Sequence, residues 1–131
     1  HMADHDAIRR YVDEVTVEPD PIERARAHAL ELGAAPVSPA VGAQIAVIAA
    51  ATAALNIVEI GTGAGVSGLW LLRGSPRATL TTIDKEPEHL AAGRYQDGLG
   101  AGGAHIHAEV GGCAGCRVDA HAPIHRVQTL V

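Results

Sequence analysis

The sequence contains no phenylalanine, one tryptophan and two tyrosines among 131 residues, and its net charge is −5. With so few aromatic rings to stack on bases and no basic excess to hold phosphates, a nucleic-acid partner is not expected. Cysteine is equally scarce. Cys113 and Cys116 are the only two, and three positions apart they cannot staple a fold, so a reducing cytoplasm is the expected compartment. No charged leader precedes an apolar run, which gives no sign of a secretory signal, and His1-Met2 reads as a remnant of an expression vector. Residues 37–58 carry no charge, but Pro39, Gly42, Gln44, Asn56 and many alanines make them too weakly hydrophobic for a membrane span. A buried helix is expected there, and no membrane partner.

What is present suits one globular domain. At 47% apolar and 19% charged the chain is too hydrophobic for intrinsic disorder, and its core must be built from Ala, Val, Leu and Ile. Ile8, Tyr11, Val12 and Val15 share one face of a helix expected over residues 4–15. A second helix is expected to be capped by Asp20, with Pro21 in its first turn, to turn Ile22, Ala25, Ala29 and Leu32 inward, and to stop at Gly33. Ser38 caps a third over residues 39–54, whose Val41, Ile45, Val47 and Ile48, with Leu55 just beyond, leave almost no polar face and predict burial on most sides. Ile57–Ile60 reads as a buried strand, 65–73 as a helix, Thr79–Asp84 as a second strand and 87–94 as the start of another helix. Strand, glycine turn, helix and strand over some thirty residues make a βαβ unit with a parallel pair.

The glycine turn carries the chemistry. Ile57-Val-Glu-Ile-Gly61-Thr-Gly63-Ala-Gly65-Val-Ser67-Gly68 lets the chain turn sharply from strand into helix and lets a ligand approach amides at a helix N-terminus. Asp84 closes the second strand, where a carboxylate can accept hydrogen bonds from both hydroxyls of a ribose. Two registers compete. Gly63-x-Gly65-x-x-Gly68 satisfies the dinucleotide fingerprint and implies an NAD-dependent oxidoreductase. Glu59-x-Gly61-x-Gly63-x-Gly65 is the acid-led loop of S-adenosylmethionine (SAM) binding. An acid at the strand end suits a ligand with a cationic ammonium and repels a pyrophosphate, so the second register is preferred. A phosphate P-loop is excluded, because Leu69-Trp70 follow Gly68 instead of Lys and Ser or Thr.

Three separated motifs, Pro36-Val-Ser-Pro-Ala-Val-Gly42, Val58-Glu-Ile-Gly-Thr-Gly-Ala-Gly-Val-Ser67 and Thr82-Ile-Asp84, together resemble the bacterial catechol/caffeoyl-CoA-type O-methyltransferases, over about residues 4–90. The resemblance implies a Rossmann-like, three-layer αβα class I methyltransferase fold preceded by N-terminal helices, and commonly a homodimer. It implies SAM as cofactor and methyl transfer to a hydroxyl of a small phenolic or catechol-like acceptor. Carried onto this sequence, Val37 contacts SAM from the segment before the first strand and Glu59 lies near its methionine portion. Gly61, Thr62, Gly63 and Ser67 line the loop, Asp84 holds the ribose, and Lys85 lies beside the adenine through its backbone. A non-catalytic SAM-binding or dimerisation module is the further alternative.

The resemblance ends where composition changes. Eight of the fifteen glycines fall between Gly93 and Gly115, so the chain divides into residues 1–2, a helical segment 3–55, a βαβ unit 56–95 and a Gly/His-rich tail 96–131, all one domain. The resemblance also implies a divalent metal, held first by an Asp after the fourth strand. Nothing after Asp84 matches that motif, since Asp97 and Asp119 stand apart from apolar runs, and no catalytic or metal residue is assigned. His105–Val110 alternates well enough for a third strand, and Ile124–Val131 for a short fourth. The sheet is therefore expected to be truncated or incomplete, with the outer edge of the second strand exposed. Cys113, Cys116, His121 and His125 have spacings near those of a zinc knuckle, the one metal site the residues suggest.

Overall fold

In the computed structural model, which describes residues 2–86, 88, 89, 91, 92 and 105–110, the β-branched runs form strands and the periodic runs form helices. The order is α1 (Met2–Val15), α2 (Asp20–Glu31), α3 (Pro39–Ala51), β1 (Asn56–Ile60), α4 (Val66–Gly74), β2 (Thr79–Asp84) and β3 (His105–Val110). All three strands are parallel, in the order β1-β2-β3. The βαβ unit is therefore present, with α4 as its crossover, and His105–Val110 is the third strand. Because β3 pairs along the outer side of β2, the edges left open among the described residues belong to β1 and β3 and not, as expected, to the second strand.

Register fixes which side chains meet. Glu59 lies opposite Thr82 and Ile57 opposite Leu80, so these four share one sheet face. Leu80, Thr82 and Asp84 on that face are buried, and α4 packs over it, with Gly68 against Leu80 and Glu59. Val58 and Ile60 point the other way and are exposed, Ile60 to 87%. The expectation of a fully buried first strand is thus corrected: β1 is covered on one face only, since no described helix lies on the other.

The helices stack through small residues. Gly42, Ala46 and Ala49 are the buried residues of α3, while Val41, Val47 and Ile48 are exposed, so the expected burial of the large residues is reversed. The physical reason is close approach. A Cβ at Gly42 would meet the Trp70 indole, and one at Gly74 would lie 2.0 Å from the Ala46 carbonyl oxygen. Helix α2 buries Ile22, Ala25 and Ala29 as expected. Pro19, not Asp20, occupies its N-cap, without a side-chain bond, and Gly33 follows its end at φ +70°. Ser38 caps α3, accepting from the Val41 amide at 3.5 Å, and the helix ends at Ala51, three residues before the expected end. Ile8, Tyr11, Val12 and Val15, the apolar face of α1, are exposed.

Trp70 is a core residue, and its indole N–H donates to Glu18 at 3.2 Å. Arg26 clamps the same carboxylate with two bonds of 2.7 Å, joining the α1–α2 connection to α2 and α4. Arg26 is therefore a structural partner of Glu18. Residues 88, 89, 91 and 92 are helical, in keeping with the helix expected there. The zinc-knuckle residues Cys113, Cys116, His121 and His125, the fourth strand, Asp97 and Asp119 lie outside the described residues. Among the described residues, no group of three or more His, Cys, Asp and Glu could hold a metal ion, and no helix is long and apolar enough to cross a membrane.

Candidate functional site

The site begins where β1 stops. The Gly61 amide donates to the Ile83 carbonyl at 2.7 Å, one rung beyond the strand, and the chain then leaves the sheet. Gly61, Gly63 and Gly65 adopt φ values of +92°, +54° and +90°. Each lies where a residue with a side chain is disfavoured by about 1–2 kcal/mol. The positions where a Cβ would stand at Gly61 and Gly63 have no atom within 4 Å, so the loop's outer side is open to an approaching group. The left-handed glycines are those of the acid-led register. Gly68, which only the dinucleotide register requires, sits inside α4, and its lack of a side chain is explained by packing: a Cβ there would lie 2.9 Å from Leu80 Cδ2 and 3.4 Å from Glu59 Oε2.

Two acids flank the loop. Glu59 accepts from the Ser67 hydroxyl on Oε1 and from the Thr82 hydroxyl on Oε2, the latter at 2.8 Å. Burial raises its pKa above the usual carboxylate value, and the nearby Asp84 adds to this, while the Ser67 and Thr82 bonds act in the opposite direction. Asp84 is nearly buried. Its burial also disfavours charge, but the Glu86 amide at 3.0 Å, the Gly63 amide at 3.1 Å and His89 at 3.3 Å outweigh it and hold the pKa below the usual value. One acid is thus held easily ionised and the other with difficulty. The Gly63 amide on Asp84 Oδ2 also ties the loop directly to the end of β2.

The structure brings together Glu59, Gly61, Thr62, Gly63, Ser67 and Asp84 of the residues anticipated from the sequence. Thr62 is buried beneath the loop, its hydroxyl 2.7 Å from that of Thr82. Val37 is half-buried between α2 and α3, packed against the helical core. The Lys85 side chain is exposed and 3.9 Å from Glu86, an ion pair of little energetic weight at such a surface. Two participants were not anticipated. Thr82 was seen only as part of a motif, although a hydroxyl opposite a strand-end acid could have been found by aligning Glu59-x-Gly61 with Thr82-x-Asp84. The second is His89, whose Nδ1 faces Asp84 Oδ2 from the helical turn that follows β2.

Parallel strands joined by a glycine loop and helix α4, with acids at two adjacent strand ends, define a Rossmann-like α/β unit of the class I methyltransferase type. No protein-family model matches the chain. A protein of Mycobacteroides abscessus named "Putative O-methyltransferase" is 56% identical over 73 residues, which cover 55% of this chain and 34% of the relative. One of Mycobacterium sp. (strain KMS) with the same name is 45% identical over 101 residues, 74% of this chain and 46% of the relative. The chain therefore spans between a third and a half of these relatives. The O-methyltransferase from Bacillus cereus in complex with SAH aligns with a TM-score of 0.68 at 26% identity, over 78% of this chain and 48% of that one. TomG from Streptomyces achromogenes, an O-methyltransferase involved in tomaymycin synthesis and solved with SAM, aligns with a TM-score of 0.67 at 25% identity, over 78% and 48%. The likeness to O-methyltransferases read from the motifs is thus present in both sequence and structure.

Proposed function

We propose that this chain is the cofactor-binding part of a SAM-dependent O-methyltransferase acting on a hydroxyl of a small phenolic or catechol-like acceptor. The observation that carries the reading is the run of left-handed glycines between Glu59 and Asp84, with open space on its outer side. Asp84 suits a ribose diol. A carboxylate offers about four lone-pair sites, and three are engaged by the Gly63 and Glu86 amides and His89. The His89 contact, at 3.3 Å the longest of the three, is the one a second ribose hydroxyl would replace. Glu59 supplies negative charge beneath the part of the loop assigned to the methionine ammonium, with Gly61, Thr62, Gly63 and Ser67 lining it. Val37 and the Lys85 backbone complete the set. SAM, when bound, supplies an electrophilic methyl group for in-line displacement by the acceptor oxygen.

No step is drawn through a divalent metal, for which the described residues provide no ligand cluster. The dinucleotide reading is disfavoured because Gly68 has a packing role and a pyrophosphate would face Glu59. In this reading the chain works in the cytoplasm as a homodimer, with a second copy covering apolar residues such as Val58 and Ile60 that are exposed here. Residues 3–55, 56–95 and 96–131 act as helical cover, SAM-binding unit and tail of one domain. Calorimetric titration with SAM, SAH and NAD tests the cofactor assignment. Binding of the SAM-type ligands without NAD is expected, and NAD binding without either of them overturns the reading.

A further inference from the structure

Thr82 lies beneath the loop and is 2% exposed. Its hydroxyl has one hydrogen, and it donates that hydrogen to Glu59 Oε2 at 2.8 Å. Thr82 Oγ1 is also 2.7 Å from Thr62 Oγ1. With the Thr82 hydrogen already engaged, Thr62 must be the donor in that contact. With Glu59 ionised the order is set: Thr62 donates to Thr82, and Thr82 donates to Glu59. Ser67 donates to the other carboxylate oxygen. Three hydroxyls, from the loop, from β2 and from α4, are therefore aligned on one acid of β1.

We propose that Thr82 is a positioning residue for cofactor binding: through the Thr62–Thr82–Glu59 chain it orients the Glu59 carboxylate, keeps it ionised and fixes the loop residue Thr62 inward. This rests on the SAM reading above. Ionised Glu59 only accepts, so all hydroxyl hydrogens point toward it. A protonated Glu59 must donate to Thr82 or Ser67, and the hydroxyl it meets must turn its own hydrogen elsewhere. The state of the acid and the set of the loop are thus linked. The cavity bordered by Glu59, Thr62, Gly68, Leu80 and Thr82 is about 10 Å³, near the least that one water needs, and valine, with the shape of threonine, does not enlarge it. The groups facing Glu59 are Ser67 and Gly68 on α4 and Thr82 and Asp84 on β2. Of these only Asp84 titrates, and its charge opposes ionisation of Glu59.

The test is the pH dependence of SAH affinity, measured by calorimetry on the full chain and on Thr82→Val, Thr82→Ser and Thr62→Val. Thr82→Ser keeps the hydroxyl and is expected to match the wild type. Thr82→Val removes a donor to a charged group, so affinity near neutral pH should fall roughly tenfold or more. Its acid limb, where Glu59 becomes protonated, should move to higher pH. Thr62→Val should move that limb the same way by less, and it carries the test alone if Thr82→Val does not fold. An acid limb that stays in place in both valine variants overturns the positioning role, even if affinity falls. A wild-type chain that binds no SAH removes the cofactor reading and this role with it, whereas binding that Thr82→Val leaves intact overturns the role alone.

Discussion

The Gly63 amide donates to Asp84 Oδ2 at 3.1 Å, so the centre of the glycine loop is tied to the carboxylate that ends the neighbouring strand. Loop shape and carboxylate orientation are consequently one property. Asp84→Ala removes both a ribose acceptor and the anchor of Gly63, and SAH affinity should weaken by about 1–3 kcal/mol. Calorimetry reads the loss directly, and unchanged affinity would remove Asp84 from the site. The pKa of Asp84 is lowered on folding. Its contribution to stability is therefore present above its unfolded value and is lost as pH falls through the folded one. Acid melts of Asp84→Ala should decline less steeply than those of the wild type.

Glu59 has the opposite sign. Burial raises its pKa, so ionisation costs folded-state stability, and the cost appears as pH rises from the unfolded value through the folded one. Glu59→Gln keeps the shape without the charge. Thermal melts at neutral pH should place this variant at or above the wild type, while calorimetry finds weaker SAH binding. A variant that is clearly less stable at neutral pH and binds SAH normally would contradict the assignment.

Helix α4 meets α3 backbone to backbone at Gly74, where an added Cβ would stand 2.0 Å from the Ala46 carbonyl oxygen. Alanine is the better helix former by about 1 kcal/mol. The clash is larger, because backbone must move, and overpacking of this kind costs about 1–3 kcal/mol or more. Chemical denaturation of Gly74→Ala should therefore give a net loss in stability.

The Glu18 carboxylate, 6% exposed, is held by two bonds from Arg26 and one from Trp70. Arg26→Ala leaves the charge with the indole donor alone. Both residues are only partly buried, so removing Arg26 costs less than the ~3–5 kcal/mol of a fully buried pair. The Arg26 bonds are the leading cause of the lowered Glu18 pKa, with burial opposing them. The loss should be largest above the ordinary carboxylate range and shrink as pH falls, which urea titrations at two pH values would measure.

Ile60 tests the proposed dimer. It is 87% exposed and contributes little to the core of one chain. Ile60→Lys should shift sedimentation toward the monomer without lowering the melting temperature. An unchanged sedimentation profile would count against a second copy on that face.

Much of this was legible in the sequence. The β-branched runs at Ile57–Ile60 and Thr79–Asp84, separated by glycines and one helix, are enough for the parallel βαβ unit, and the Glu59 and Asp84 positions follow from it. Alternation at His105–Val110 correctly gives a third strand. Residue size misled the reading of α3. Hydrophobicity points to Val47 and Ile48, but the distance between α3 and α4 selects Gly42, Ala46 and Ala49 for the contact, and that distance is a tertiary property. Thr82 and His89 were hidden for a similar reason. A threonine in a strand is ordinary β-branched composition, and its role appears only when register places it opposite Glu59.

Amide mapping of the isotopically labelled full chain with SAH tests the central claim most directly. The largest shifts are expected on Gly61, Gly63 and Gly65, with Ser67, Asp84 and Lys85, while Ala50, Leu55 and Arg77 around the opposite hollow of the molecule remain still. Shifts confined to that hollow, or no shifts at saturating SAH, would contradict it.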